Sequence, residues 1–262
     1  MIAAAQPSLS SAVALLDVDP DLGRLLSPDR LPEARRALVA RRAQLRAGPW
    51  DGTNPAPSGS ADVGLLVIDG LIAREVAMAD SVSSNLLGPG DLILRRRSDD
   101  PGQLLLAESR WAVLAPAQVA VLDRRVGMAL CHYPEVNAMV ADRLAEQMDR
   151  MAVGQAIGQL NGVDRRLLAL FWQLAERWGR VAPQGILVPL ALTHGVLGAL
   201  VGARRPTVST ALGRLAREGQ LRRQDDGTWL LSGDAVGEPV GEAARIVRRR
   251  ARRPPPARLQ SV

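Results

Sequence analysis

Residues 202–231 read GARRPTVSTALGRLAREGQLRRQDDGTWLL, and the fold of the chain turns on this stretch. It combines six arginines, a helix-like apolar rhythm and a turn signal. Gly202 can take the left-handed backbone that a tight turn between helices needs. Pro206 suits the first turn of the following helix, where its missing N–H costs nothing. Val208, Leu212 and Leu215 recur at spacings of 4 and 3 and line one face, and Gly219 ends the helix. At ~100° per residue, Pro206, Thr210, Gly213 and Arg217 fall opposite that row, with Arg214 beside them. Immediately upstream, Thr193 is an N-cap for a shorter helix that buries Leu197, Leu200 and Val201. Downstream, QLRRQ and TWLL flank Asp225-Asp226-Gly227. That pattern predicts a two-stranded wing with Arg222 and Arg223 on it. Helix, glycine turn, helix and wing therefore follow one another in order.

Charge supports a polyanion partner for this part of the chain. The 262 residues carry a formal net charge of +6, and every basic side chain is arginine, since lysine is absent. Residues 131–262 hold 19 arginines against 12 acidic residues, whereas residues 1–130 hold 14 against 15. Such asymmetry points to a polyanion at the C-terminal half. Arginine is also the better bidentate ligand for phosphate and guanine. The single cysteine, Cys131, excludes a disulfide framework and a cysteine metal cluster, and fits a reduced cytoplasm. The opening MIAAAQPSLSSAVALL lacks a basic region and is broken by Pro7, so it does not read as a signal peptide. No apolar run approaches the ~18 residues of a membrane span, so no membrane partner is expected.

The rest of the chain predicts an α+β protein. DPDLGRLLSPDRLPEARRALVARRAQL has helical spacing, with Asp29 and Pro32 as start signals and Leu31, Ala34, Leu38 and Leu45 as an apolar stripe. Residues 1–60 are therefore expected as a helical lead-in that closes on a Pro/Gly/Ser-rich loop. Residues 61–133 read as a β-rich domain. In it, VGLLVIDGLIAREV looks like a hairpin turning at Asp69-Gly70, and Gly88 and Gly90 mark a further turn. Its strands are expected to end near Leu114, and PAQVAVLDRRVGMAL is expected to open a helix with Pro116 in its first turn. Tyr133-Pro134 breaks that helix. Residues 134–162 then form one long helix with Val136, Val140, Leu144, Met148 and Met151 in a narrow stripe, a rod able to pair with a copy of itself. Residues 163–231 hold the helix VDRRLLALFWQLAERWG, whose apolar face is Leu167, Leu170, Phe171, Leu174 and Trp178, followed by the helix-turn-helix and wing. Residues 232–262, with an arginine cluster and three consecutive prolines, read as a disordered basic tail.

LTHGVLGALVGARRPTVSTALGRLAREGQL resembles the DNA-binding signature of the Crp/Fnr (cyclic-AMP receptor protein) transcription regulators. GLLVIDGLIAREV and LLGPGDLI are similar to the β-roll of that family's cyclic-nucleotide-binding-like sensor domain, and the helix from Pro134 is similar to its dimerisation helix. The resemblance covers about residues 60–231. It implies a cytoplasmic homodimer that regulates transcription by placing the second short helix in the major groove of double-stranded DNA, with RNA polymerase as a candidate further partner. It also implies that Arg205 contacts a base, typically guanine, although the helical wheel leaves Arg205 outside the regular turns. Arg204, Thr207 and Thr193 fall at its phosphate-contacting positions. Pro206 and Thr210 stand where well-known members carry a base-reading Glu and a second base-reading Arg, so the preferred half-site is expected to differ. His194 reads as an ordinary surface histidine.

For the sensor domain the resemblance breaks down. Cyclic-nucleotide-binding members continue after the Pro-Gly-Asp turn with Gly-Glu and later an Arg-Ser/Thr pair. Here Leu94 and Arg95 occupy the Gly-Glu places and no such pair follows, so cyclic AMP is not expected to be held by the usual contacts. Arg95, Arg96 and Arg97 read as a solvated loop, with an anion site as the alternative. One cysteine cannot hold an iron–sulfur cluster, and Cys131 and His132 read as structural rather than as haem ligands. The effector stays open and no cofactor is assigned. No phosphate loop, GxSxG or metal-ligand spacing occurs, which argues against an enzyme. The remaining rival is a non-catalytic module that uses the winged helix to bind another protein.

Overall fold

The computed structural model describes residues 8–52, 64–79, 81–94 and 107–232. Arg95, Arg96, Arg97 and the basic tail beyond Ser232 lie outside the described residues. The chain divides into two compact units; the main break falls between Arg150 and Met151, and residues 81–84 group with the second unit.

The N-terminal unit begins with strand β1 (Ser8–Ala14), a single helical turn α1 (Leu15–Val18), a 3-10 turn at Pro20–Gly23 and helix α2 (Leu31–Ala37). Strands β2 (Val39–Leu45), β3 (Gly48–Trp50), β4 (Gly64–Met78), β5 (Ser81–Leu87), β6 (Leu92–Leu94) and β7 (Glu108–Leu122) follow, then helix α3 (Arg124–Leu130). The strands form one sheet in the order β1-β2-β7-β4-β5, with β3 paired to β7 and β6 to β4. This is the β-rich half of a mixed α+β chain.

Three local expectations are corrected by the fold. The helical lead-in is one. After α2, Leu38 leaves helical backbone at φ −90° and ψ 67°, fully buried, and the next seven residues join the sheet as β2. β2 is sandwiched between β1 and β7, so its pairing comes from residues far away in sequence. The second correction concerns Asp69-Gly70, which is a bulge and not a hairpin. β4 runs straight through it as a 15-residue strand whose register against β7 shifts around Asp69 and Leu71. Gly70 has φ +93°, and a Cβ there would lie 2.4 Å from Ala117 Cα and from Pro116 O. The glycine is thus required by the close approach of β7, and the Asp69 carboxylate accepts a hydrogen bond from the Gly70 N–H at 2.8 Å. Third, residues 116–122 continue β7 instead of opening a helix, and the helix starts only at Arg124, where Asp123 accepts from the Val126 N–H at 3.1 Å.

The reason for the last misreading lies in the burial of the sheet. Val119 and Val121 pack on one face with Leu65, Val67, Ile72, Val113 and Trp50. Ala120 and Leu122 pack on the other with Leu66, Ile68, Leu15, Leu38 and Val136. A strand covered on both faces loses its alternation, and a short unbroken apolar run cannot be told from a buried helix by periodicity.

Helix α4 (Pro134–Gly158) carries three polar residues that grip the N-terminal unit. Arg143 donates to Asp19 Oδ1 at 3.2 Å and to Asp21 Oδ2 at 3.0 Å. Gln147 pairs both ways with the backbone of Leu92, donating to its carbonyl at 3.1 Å and accepting from its N–H at 3.2 Å. Arg150 bridges to Asp91, a buried carboxylate that also receives the Gly88 N–H at 2.8 Å and so shapes the Gly88–Asp91 turn. The expected apolar stripe divides. Val136 is fully buried and Val140 and Leu144 pack on the same core, but Met148 is 70% exposed and Met151 44% exposed.

Burial pushes the Asp19 carboxyl above the usual carboxylate range, against the pull of Arg143. A carboxyl raised in the folded state favours folding most at low pH and loses that contribution as pH rises through its folded value. Asp19→Asn removes this dependence and keeps an acceptor for Arg143. Wild type should therefore gain stability on the variant as pH is lowered from 7 towards ~4, read as the difference in Tm between the two proteins. The opposite trend would mean that the ion pair outweighs desolvation.

The C-terminal unit contains helix α5 (Val163–Trp178), strands β8 (Arg180–Ala182) and β9 (Gly185–Val188), helices α6 (His194–Val201) and α7 (Arg205–Arg217), and strands β10 (Leu221–Arg223) and β11 (Trp229–Leu231). The expected two-stranded wing is the edge of a four-stranded sheet, ordered β10-β11-β9-β8. Leu167, Phe171 and Leu174 of α5, Leu197 and Val201 of α6, and Val208, Leu212 and Leu215 of α7 are all buried. Trp178 is only half-buried, with the Arg177 guanidinium 4.4 Å from its ring centroid.

Candidate nucleic-acid interface

The helix-turn-helix is built from local signals. Thr193 caps α6 by accepting the Val196 N–H at 3.3 Å. Gly202 sits in the left-handed region at φ 62° and ψ 46°, and the Ala203 N–H closes the turn on the Gly198 carbonyl at 2.9 Å. A Cβ at Gly198 would lie 2.5 Å from the Ala203 carbonyl oxygen, so this helix position must also be glycine. The chain then passes through extended Arg204, and α7 begins at Arg205 with Pro206 in its first turn. Arg205 thus belongs to the regular helix, one residue earlier than its proline suggests. Arg204 gives the helix no side-chain cap, so the first N–H groups of α7 keep the partial positive charge that draws anions.

On α7 the side chains divide cleanly by burial. Val208, Ala211, Leu212 and Leu215 are buried against the domain, while Arg205, Pro206, Thr207, Thr210, Gly213, Arg214 and Arg217 are exposed. Thr210 donates to the Pro206 carbonyl at 3.2 Å, and Arg217 to the Gly213 carbonyl at 3.3 Å. Arg214 is drawn to the side, where it pairs with Asp164 of α5 at 3.3 Å. Arg204, Arg205, Thr207, Thr210 and Arg217 therefore belong to α7 or its cap, and Thr193 stands at the start of α6. Arg222 and Arg223 lie on β10, exposed, with Arg223 6.0 Å from the Trp229 ring centroid. The wing turn is fixed by Asp226, whose carboxylate accepts from the Thr228 hydroxyl at 2.6 Å and from its N–H at 2.9 Å. Those bonds, the hydroxyl first, hold the exposed Asp226 carboxyl below the usual carboxylate range.

Several contacts could not be anticipated from spacing. The His194 ring nitrogen Nδ1 lies 2.8 Å from Ser209 Oγ, which in turn donates to the Arg205 carbonyl at 3.1 Å. Asp164 and Arg166 of α5 likewise reach the helix-turn-helix. The cap at Thr193 and the apolar rows of the two helices follow a helical period, but a contact between residues 15 apart, on different helices, does not. No group of three or more His, Cys, Asp or Glu able to hold a metal occurs among the described residues.

An exposed, arginine-led helix seated on a partly buried partner helix, with a basic wing beside it, defines a winged helix-turn-helix domain. Residues 165–233 match the family model of the Crp-like helix-turn-helix domain. No curated protein matches the chain. Solved structures share its fold over nearly their full length. A CooA mutant from Carboxydothermus hydrogenoformans is 16% identical, covering 92% of this chain and 98% of that one at a TM-score of 0.58. A cyclic nucleotide-binding domain-containing protein from Listeria monocytogenes is 15% identical, covering 81% and 96% at 0.59. A transcriptional regulator of the CRP family from Thermus thermophilus is 18% identical, covering 84% and 99% at 0.50. Residues 165–233 are thus a Crp-like helix-turn-helix domain, and the chain as a whole shares the fold of these solved structures, with a β-rich N-terminal domain, a long helix and a C-terminal helix-turn-helix.

Proposed function

We propose that the chain regulates transcription as a cytoplasmic homodimer, without catalysis, by inserting α7 of each protomer into the major groove. Arg205, the first residue of α7, reads guanine through its O6 and N7 with both arms of the guanidinium. Thr210 and Arg217 face the groove behind it. Arg204, Thr207 and Thr193 meet phosphates at the helix ends, and Arg222 and Arg223 do so from the wing. Arg214 borders the same surface but is held by Asp164, so its part is mainly to fix α7 on α5. The observation that supports this reading most is the division of α7 into a fully buried row and an exposed face that opens with Arg205. Pairing of two chains is supported by the apolar residues Met148, Met151 and Val153, which α4 leaves exposed.

Salt dependence tests the reading. Three arginine–phosphate contacts in each of two protomers should give a slope of about −5 for log K against log salt concentration, at ~0.9 per neutralised phosphate. Binding to duplex DNA that is absent, or indifferent to salt, would instead favour a winged helix used for protein contacts.

A further inference from the structure

The first turn of α5 holds both halves of the helix-turn-helix. Asp164 pairs with Arg214 of α7 at 3.3 Å. Two residues on, Arg166 makes two contacts with one guanidinium. Its Nε donates to the Leu160 carbonyl at 2.7 Å, and its Nη1 donates to the Val201 carbonyl at 3.3 Å. Leu160 lies in the connector Gln159–Gly162 that joins α4 to α5, and Val201 is the last residue of α6. The next residue is left-handed Gly202, and Arg205 begins the recognition helix three positions later. The carbonyls at the end of a helix have no partner within it, so an arginine reaching Val201 fixes the direction in which α6 hands the chain to the turn. A planar guanidinium presents its donors in a rigid fork, so moving one carbonyl moves or breaks the bond to the other.

We infer that Arg166 is a positioning residue that couples the shape of the α4–α5 connector to the placement of the recognition helix. The inference deepens the proposed function, because its consequence for operator binding rests on α7 being the element that enters DNA. A change in the connector pulls on Leu160, Arg166 passes the displacement to Val201, and the turn at Gly202 carries it to Arg205. Asp164 holds the far side of α7 to the same turn of α5, so α6 and α7 respond to one anchor.

A double-mutant cycle on the full-length protein tests this. Gly162, at φ +89°, is the perturbation: a Cβ there is strained and would lie 2.8 Å from Asp164 Oδ1. In an Asp164→Ala background, which removes that contact and the separate tie to Arg214, Gly162→Ala should weaken binding to a selected operator about tenfold when Arg166 is present and less than about twofold when it is Arg166→Met. Binding to random duplex should change little in either background. Effects that multiply independently would overturn the inference. Should Arg166→Met fail to fold, Arg166→Lys takes its place, since a single ammonium serves the two carbonyls poorly and should reduce the coupling. Hydrogen exchange supplies a readout that does not need DNA. Gly162→Ala should speed exchange of the Ala203 amide only while Arg166 is intact. If wild type shows no preference for any operator but this exchange coupling holds, the bracket stands and the DNA-reading role of α7 falls. If the operator is bound and the exchange is uncoupled, the bracket falls alone.

Discussion

Arg205→Ala weakens binding to the selected operator by about 1–3 kcal/mol, roughly a 5- to 150-fold loss, while binding to random duplex falls far less. The expectation follows from where the residue stands. Arg205 is exposed at the first position of α7, its backbone carbonyl is engaged by Ser209, and the helix behind it is anchored by buried Val208 and Leu212. On the proposed reading, so firm a base carries the side chain to a defined place in the groove, and its fork matches the O6 and N7 of guanine. Arg222→Ala serves as the contrast. A wing arginine that meets a phosphate should weaken all duplexes alike, and its removal should reduce the salt slope by about one for each phosphate it no longer neutralises. Equal losses for Arg205→Ala on operator and random duplex would remove the base-reading role.

Phe171→Ala destabilises the C-terminal unit by about 3–5 kcal/mol. Phe171 has no exposed surface and is the sole phenylalanine of the chain. Its ring lies 4.9 Å from that of Trp229, centroid to centroid, tilted by 47°, so one side chain joins α5 to the wing sheet. Truncation removes a large apolar surface and leaves a cavity between a helix and a sheet that cannot close without shifting β11. A loss of that size is a large share of the ~5–15 kcal/mol that holds a domain together. Denaturant unfolding monitored by tryptophan emission should show the transition of this unit moved to lower denaturant, and operator affinity at 37 °C should fall with it. A shift worth less than ~1 kcal/mol would contradict the packing described.

The parts of this architecture that read directly from the sequence are those whose physics is local. Thr193, Gly202, Pro206 and Gly219 each act on the few backbone groups next to them, so the cap, the left-handed turn and the helix ends of the DNA-binding domain are written in order. The β-roll is less legible because its strands are set by distant partners. Gly70 signals a turn by composition, but the approach of Pro116 and Ala117 makes it a bulge within a continuous strand. Residues 39–45 have a helical apolar rhythm, and pairing with β1 and β7 overrides it. The brackets around the recognition helix are invisible for a related reason. Arg166 contacts a carbonyl 35 positions away, and Asp164 meets Arg214 50 positions away, so neither leaves a periodic trace.

Selection of bound sequences from a pool of random duplexes, using the purified full-length chain, tests the central claim most directly. A homodimer with α7 in the groove predicts enrichment of a two-fold palindrome whose half-sites lie about one helical turn apart, each with a guanine whose selection disappears in Arg205→Ala. Enrichment of no sequence over the starting pool, or of a motif unchanged by Arg205→Ala, would contradict it.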